Sequence, residues 1–218
     1  MATAARKARP PPAFQPETAN APSLAALRGQ AEDCERCDLY RNATQLVFGE
    51  GRTNANVVLV GEQPGDEEDL KGHPFVGPAG RLLDACLQEA EVDRSQCYVT
   101  NAVKHFKFEQ RGKRRLHARP NSGEVQRCAW WLGAELRLLD PQLIVAMGAT
   151  AFYSLTGRTS GVIRERGHLS TTPDGKRLLV TIHPSYLLRL RNREEARQER
   201  QAFITDLRKI TEFLAAEK

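Results

Sequence analysis

The hydrophobic patterning predicts an α/β fold, a three-layer α/β/α sandwich with a central four-stranded parallel sheet. Two observations carry this. Val57–Val60, Tyr98–Val103, Leu143–Met147 and Leu178–Ile182 are apolar runs too short for helices and nearly unbroken, as strands buried on both faces are. Sequences with helical spacing separate them, and strands alternating with helices imply parallel crossovers. A length of 218 residues with 40% hydrophobic content suffices for one core.

In chain order, residues 1–22 are rich in Ala, Pro and Arg around Pro10-Pro11-Pro12 and show no buried pattern. They read as a disordered or extended tail before a single domain over 23–218. Ser23 can cap a short helix reaching about Arg28–Glu32. Gly80–Ala90 lines up Leu82, Leu83, Ala85, Cys86 and Leu87 at helical spacing. Gly123–Leu139 does the same with Val125, Cys128, Trp131, Leu132, Leu136 and Leu139. Thr150–Leu155 and a charged amphipathic stretch, Arg193–Ala215, complete the predicted helices. No apolar run approaches the roughly 18–20 residues of a membrane span. The N-terminus lacks the apolar core of a secretory signal. A soluble, cytoplasmic, monomeric protein is the expectation, with no membrane partner.

The formal net charge of +5 is concentrated rather than spread. Lys104, Lys107, Arg111, Lys113, Arg114, Arg115 and Arg119 share one stretch whose only acid is Glu109. Such a stretch in an otherwise near-neutral chain is the footprint of contact with a polyanion; the blander alternative is a solvated loop. Five cysteines are awkward for a disulfide framework and favour a ligand or redox role. Cys34 and Cys37 form a C-x-x-C pair, with Cys128 far off in sequence.

Three predicted strands end in unusual polar sequence: Gly61-Glu62-Gln63-Pro64-Gly65, Asn101, and His183-Pro184-Ser185. Each is weak alone. The first lacks the Lys-Ser/Thr of a phosphate loop and the third glycine of a dinucleotide fingerprint, which makes a nucleotide-binding protein a distant reading. Together they matter, because a parallel α/β sheet gathers its strand ends around one crevice.

With Gly72-His73-Pro74-Phe75-Val76-Gly77 and Thr100-Asn101 added, this set resembles the iron–sulfur uracil-DNA glycosylases of family 4, over about Cys34 to Leu190. Gln63 and the run Lys113-Arg114-Arg115-Leu116-His117 resemble the X-type branch of that superfamily, known for becoming covalently joined to DNA. The resemblance implies a partner, uracil-containing DNA in single- or double-stranded form, a nucleoid association, and base flipping before chemistry. It makes Phe75 the stacking platform and places Gly61 and Gln63 at the base, Gln63 through its backbone or amide. Asn101 offers both an amide acceptor and a donor, which suits the N3–H and O4 edge of uracil and mismatches cytosine. His183 is implied as the donor to the developing charge on O2, and Glu62 as general base or stabiliser of the sugar cation. His117 is implied as the nucleophile that links to C1′ of the abasic sugar, ending turnover. Lys107, Arg111, Lys113, Arg114, Arg115 and Ser185 are expected on phosphates, with Leu188 or Arg189 as the wedge that fills the gap.

Family 4 enzymes complete their cluster set with a cysteine just after the Asn-bearing strand, where this chain has His105. Cys34, Cys37, His105 and Cys128 are therefore expected to ligate a [4Fe-4S] cluster. Residue chemistry alone allows tetrahedral zinc equally, and only the resemblance selects iron. Cys97 is the rival fourth ligand, and Cys86 reads as core. Two other readings stand beside this one: a conventional hydrolytic glycosylase with His117 on a phosphate, and a non-catalytic iron–sulfur DNA-binding protein.

Overall fold

The computed structural model describes residues 11–15 and 18–216. In chain order the elements are α1 (Leu24–Ala31), β1 (Glu50–Gly51), β2 (Val57–Gly61), α2 (Asp66–Lys71), α3 (Pro78–Glu89) and β3 (Cys97–Asn101). A hairpin of β4 (Phe108–Arg111) and β5 (Arg114–His117) precedes α4 (Ser122–Leu139) and β6 (Leu143–Met147). Then come α5 (Ala149–Thr156), α6 (Val162–Glu165), β7 (Leu169–Thr171), β8 (Arg177–Thr181), α7 (Pro184–Leu187) and α8 (Arg193–Ala216).

The main sheet runs β1-β3-β2-β6-β8-β7. Its four inner strands are parallel, as the patterning requires, and their side chains alternate between two cores. Leu59, Val145 and Leu179 face α3 and α8, which contribute Leu83, Leu87, Phe203, Leu207 and Ile210. Val58, Val60, Ile144 and Val180 face α4 and α5, which contribute Leu132, Leu136, Phe152 and Leu155. The helices begin where local chemistry starts them. Pro78 opens α3 at its first turn, and Asn121 with Glu124 forms a reciprocal capping box on α4.

The sheet has six strands, not four. The additions, β1 and β7, are antiparallel edges of two and three residues with partly exposed faces, so neither makes an apolar run. The run expected to extend through Val103 leaves the strand at Asn101, although Ala102 and Val103 still donate to Gly61 and Glu62 carbonyls at 3.0 Å. The basic stretch, expected as a loop, folds in part into the separate β4–β5 hairpin, which turns at Gly112 with φ 57°.

The expected tail is also corrected where it is described. Pro12 and Ala13 are buried in a short 3-10 turn, and Ala19 donates to the Trp130 carbonyl at 3.3 Å. Gly133 of α4 permits this approach, since a Cβ there would lie 2.6 Å from the Ala13 carbonyl oxygen. The parts of the tail at 1–10 and 16–17 lie outside the described residues. No helix among the described residues is long and apolar enough to cross a membrane.

Lys104, grouped by sequence with the DNA-facing charges, lies instead in the core. It is completely buried and pairs with the equally buried Glu135 at 2.5 Å. Its ammonium also donates to Thr100 Oγ1 and, at 3.0 Å, to the Asn101 carbonyl. Glu135 in turn accepts from Tyr98 (2.9 Å), Thr100 and the Gly49 N–H. Removing one charge of such a pair strands the other in a dry core. Lys104→Met should therefore cost about 3–5 kcal/mol in urea unfolding, and the double variant with Glu135→Leu should recover much of it. A single variant as stable as the parent would show that the pair does not hold β3.

Candidate active site

The parallel register aligns the strand ends. Gly61 of β2 sits opposite Asn101 of β3, and β8 delivers His183 two residues beyond its last strand residue. Between them lies a cavity of about 390 Å3 lined by Gln63, Phe75, Asn101, His117, His183 and Leu188, among others. Gly61 forms its floor by having no side chain. A Cβ there would overlap Asn101 Oδ1, lie 2.6 Å from the Phe75 ring and 3.3 Å from His183 Nε2. Phe75 holds an unusual φ of 58° for a bulky residue, a strain that aims its ring into the pocket. The ring lies 6.2 Å from that of His183.

Two polar groups face this pocket in defined states. Asn101 is buried, and its Oδ1 accepts no hydrogen bond among the described residues. An unpaired acceptor of this kind costs about 1–3 kcal/mol, which a ligand N–H would relieve. His183 Nδ1 accepts from the Ser185 N–H at 3.2 Å, so the ring carries its proton on Nε2, the nitrogen nearer the floor. Burial, with smaller contributions from His117 and Arg189, lowers the His183 pKa to about 4. It is a neutral donor at pH 7.

At the rim, His117 ends β5, half-exposed, with Nε2 3.3 Å from Glu62 Oε1. Glu62 is held at its second oxygen by the Thr150 hydroxyl at the start of α5, and Arg119 stands 4.0 Å away. Thr150 carried no sequence signal beyond a helix start. Its role depends on a crossover that brings α5 beside β2.

The hairpin is fastened to this site. Gln63 Oε1 accepts from the Lys107 N–H at 3.1 Å, and its amide donates to the Lys107 (3.0 Å) and Ala118 (3.1 Å) carbonyls. Of the two contacts expected for Gln63, backbone or amide, the amide is thus already engaged, while the residue lines the pocket. Arg115, expected on phosphate, is instead pinned to Asp66 (2.6 Å) and Asp69 (2.5 Å) beneath the rings of Phe106 and Phe108. Lys107 is paired with Glu124 at 3.0 Å. Arg111, Lys113 and Arg114 are exposed and carry no ion pair among the described residues. Arg189 donates to Ser185 Oγ at 3.2 Å, and Leu188 is 51% exposed at the pocket lip.

Cys34, Cys37 and Cys128 are buried in one core cluster with Val103 and Trp131. Trp131 Nε1 donates to Cys34 Sγ at 3.0 Å and the Lys104 N–H to Cys128 Sγ at 3.1 Å, the N–H···S contacts that suit metal-bound sulfur. Burial pushes the Cys128 thiol up to about 12, so its thiolate needs a cation beside it. His105 follows Lys104 directly; it is buried, and desolvation lowers its pKa, leaving the neutral ring a metal accepts. Among the described residues no three donors already stand at metal-binding separation. The donor types and their N–H partners fit an iron–sulfur group. Cys97 does not compete, since it packs in the other core with Cys86.

A sequence profile of the uracil DNA glycosylase superfamily matches residues 48–208, which spans the pocket, the hairpin and the sheet. The chain is 36% identical over 189 residues to a type-4 uracil-DNA glycosylase of Thermotoga maritima, covering 86% of this chain and 93% of that protein. It is 37% identical over 129 residues to one of Archaeoglobus fulgidus, covering 59% and 61%. It is 33% identical over 173 residues to one of Pyrobaculum aerophilum, covering 76% and 85%. With strand-end pocket, neutral histidine donor and sheet order all falling inside the matched region, the chain belongs to the uracil-DNA glycosylase superfamily.

Proposed function

We propose that the protein excises uracil from DNA and that His117 then bonds to C1′ of the abasic sugar. The observation that carries the second half is the 3.3 Å contact of His117 Nε2 with Glu62 Oε1 at the rim of the base pocket. A flipped uracil stacks on Phe75. Its N3–H donates to the orphaned Asn101 Oδ1, the Asn101 amide donates to O4, and His183 Nε2–H donates to O2. The C1′–N1 bond breaks with both electrons moving onto the uracil, where the His183 donor meets the charge forming on O2. The sugar becomes an oxocarbenium-like cation. The His117 nitrogen that Glu62 does not hold attacks C1′, and the proton on the held nitrogen passes to the Glu62 carboxylate. The product is a neutral imidazole on C1′. Reversal would need an imidazolide leaving group, far poorer than the uracil anion, so one turnover consumes the enzyme.

Cys34, Cys37, His105 and Cys128 hold a [4Fe-4S] cluster in this reading. Bound there, it ties the N-terminal segment to the chain leaving β3, a structural role. DNA phosphates meet Arg111, Lys113 and Arg114 on the outer hairpin and Ser185 beside the pocket, while Leu188 or Arg189 enters the vacated stack.

After incubation with a uracil-containing oligonucleotide, the wild-type protein should run on a denaturing gel with DNA attached, in one-to-one yield. His117→Ser should lose the adduct and release uracil repeatedly; repeated release by the wild type without adduct would assign His117 to a phosphate and make the enzyme an ordinary hydrolase. Metal analysis should find about four iron atoms per chain, and stoichiometric zinc would overturn the cluster. Arg114→Ala should shallow the dependence of log affinity on log salt by about one unit, whereas Arg115→Ala should mainly lower stability. Equal salt slopes for Arg114→Ala and wild type would make the outer hairpin a bystander.

A further inference from the structure

A second cavity of about 510 Å3 adjoins the base pocket on the other side of His117 and His183. The two share Gln63, His117, His183, Ser185 and Arg189, so they are halves of one trough with the reacting centre between them. The second half is unlike the first. Met147 and Ile182 line it from the ends of β6 and β8, and Val162, Ile163 and Tyr186 from α6 and α7. Ile163 is 79% exposed and Tyr186 36% exposed, large apolar surface left facing the trough with nothing packed on it.

The charged groups sort themselves. Arg166 is bound by Glu199 (2.6 Å) and Asp206 (2.8 Å), and Glu62 faces His117, so neither carboxylate lining the cavity is free. The cations turned towards a ligand are Arg119, 65% exposed and held only by a 4.0 Å contact with Glu62, and Arg189, which donates to Ser185 Oγ. An apolar wall with an aromatic ring, opening onto two guanidinium groups, is the chemistry of a nucleotide: base against the wall, phosphate at the cations. A cavity of this size accepts a base with its sugar.

Resting on the assignment of the first pocket to uracil, we propose that the second cavity is a subsite for the nucleotide adjoining the uracil in the same strand. Its base lies against Tyr186 and Ile163, and its phosphate lies between Arg119 and Arg189. The strand leaving a sugar held at His117 enters this half of the trough directly. The protein therefore engages two consecutive unstacked nucleotides, and removing the neighbour's base removes a contact while leaving the uracil untouched.

The test uses the full-length protein with its metal site loaded and three single-stranded oligonucleotides. One carries uracil among ordinary bases, and the other two carry a tetrahydrofuran abasic residue immediately 5′ or 3′ of it. Affinity is read by fluorescence anisotropy with His117→Ser on oligonucleotides whose uracil nucleotide carries a 2′-fluorine, which resists cleavage by destabilising the sugar cation, and uracil release by single-turnover quench with the wild type on the 2′-deoxy substrates. One of the two abasic flanks should weaken binding roughly tenfold or more, the scale of losing one base–aromatic stack; the other should have little effect. Tyr186→Ala with Ile163→Ala should bind the ordinary oligonucleotide as weakly as the intact wall binds the sensitive one, and should no longer distinguish the two. If uracil is released equally well and affinity is unchanged with either flank abasic, the subsite is wrong while the base pocket stands. If no uracil is released from the ordinary oligonucleotide, the base-pocket assignment falls and the subsite falls with it.

Discussion

The site depends on a salt bridge that never touches substrate. Lys104 and Glu135, both wholly buried, sit behind the exit of β3 and bind it from within. The ammonium holds the Asn101 carbonyl while the backbone N–H of the same residue reaches Cys128 Sγ. One residue thus touches both the strand proposed to read the base and the thiol proposed to hold the cluster. Two buried charges are tolerated only when every remaining donor and acceptor near them is satisfied, and here Tyr98, Thr100 and the Gly49 N–H complete the set. An arrangement so demanding of geometry permits few displacements of Asn101. That suits the proposed role of its amide, which would have to face one way to accept N3–H from uracil and refuse cytosine.

Charge in the basic stretch is divided by depth. Lys104 is core, Lys107 and Arg115 are fastened to carboxylates, and Arg111, Lys113 and Arg114 face solvent. The acidic first turn of α2 explains the middle group. Asp66 and Asp69 lie where a helix N-terminus favours negative charge, and from there they clamp the hairpin through Arg115. Counting basic residues along the chain therefore overstates how many can meet phosphate.

Much of the fold was legible because doubly buried strands leave unbroken apolar runs; Val57–Val60 and Leu143–Met147 could be little else. The pocket residues were legible because parallel strands deliver their C-terminal motifs to one edge, and Gly61, Asn101 and His183 do meet there. The hairpin was not, because both of its faces are wet and polar, so no alternation marks it. Lys104 was grouped with the surface charges, since a charge in sequence carries no sign of a partner 31 residues away. Thr150 stayed hidden for the same reason: its meaning lies in the Glu62 oxygen it meets.

The hairpin that ends in His117 has no core of its own. None of its strand residues joins a core cluster, and two strands alone are marginal in water. What orders it is the Gln63 amide at its base, the Arg115 carboxylates beneath it, and the Phe106–Phe108 ring contact 5.2 Å apart. Elements with so few buried apolar contacts belong to the low end of a protein's range of local stabilities. The imidazole is therefore carried on polar contacts, whereas the sheet and base pocket rest on the apolar cores. What presents the proposed nucleophile is thus a local set of polar contacts, separate from the packing that shapes the pocket for the base.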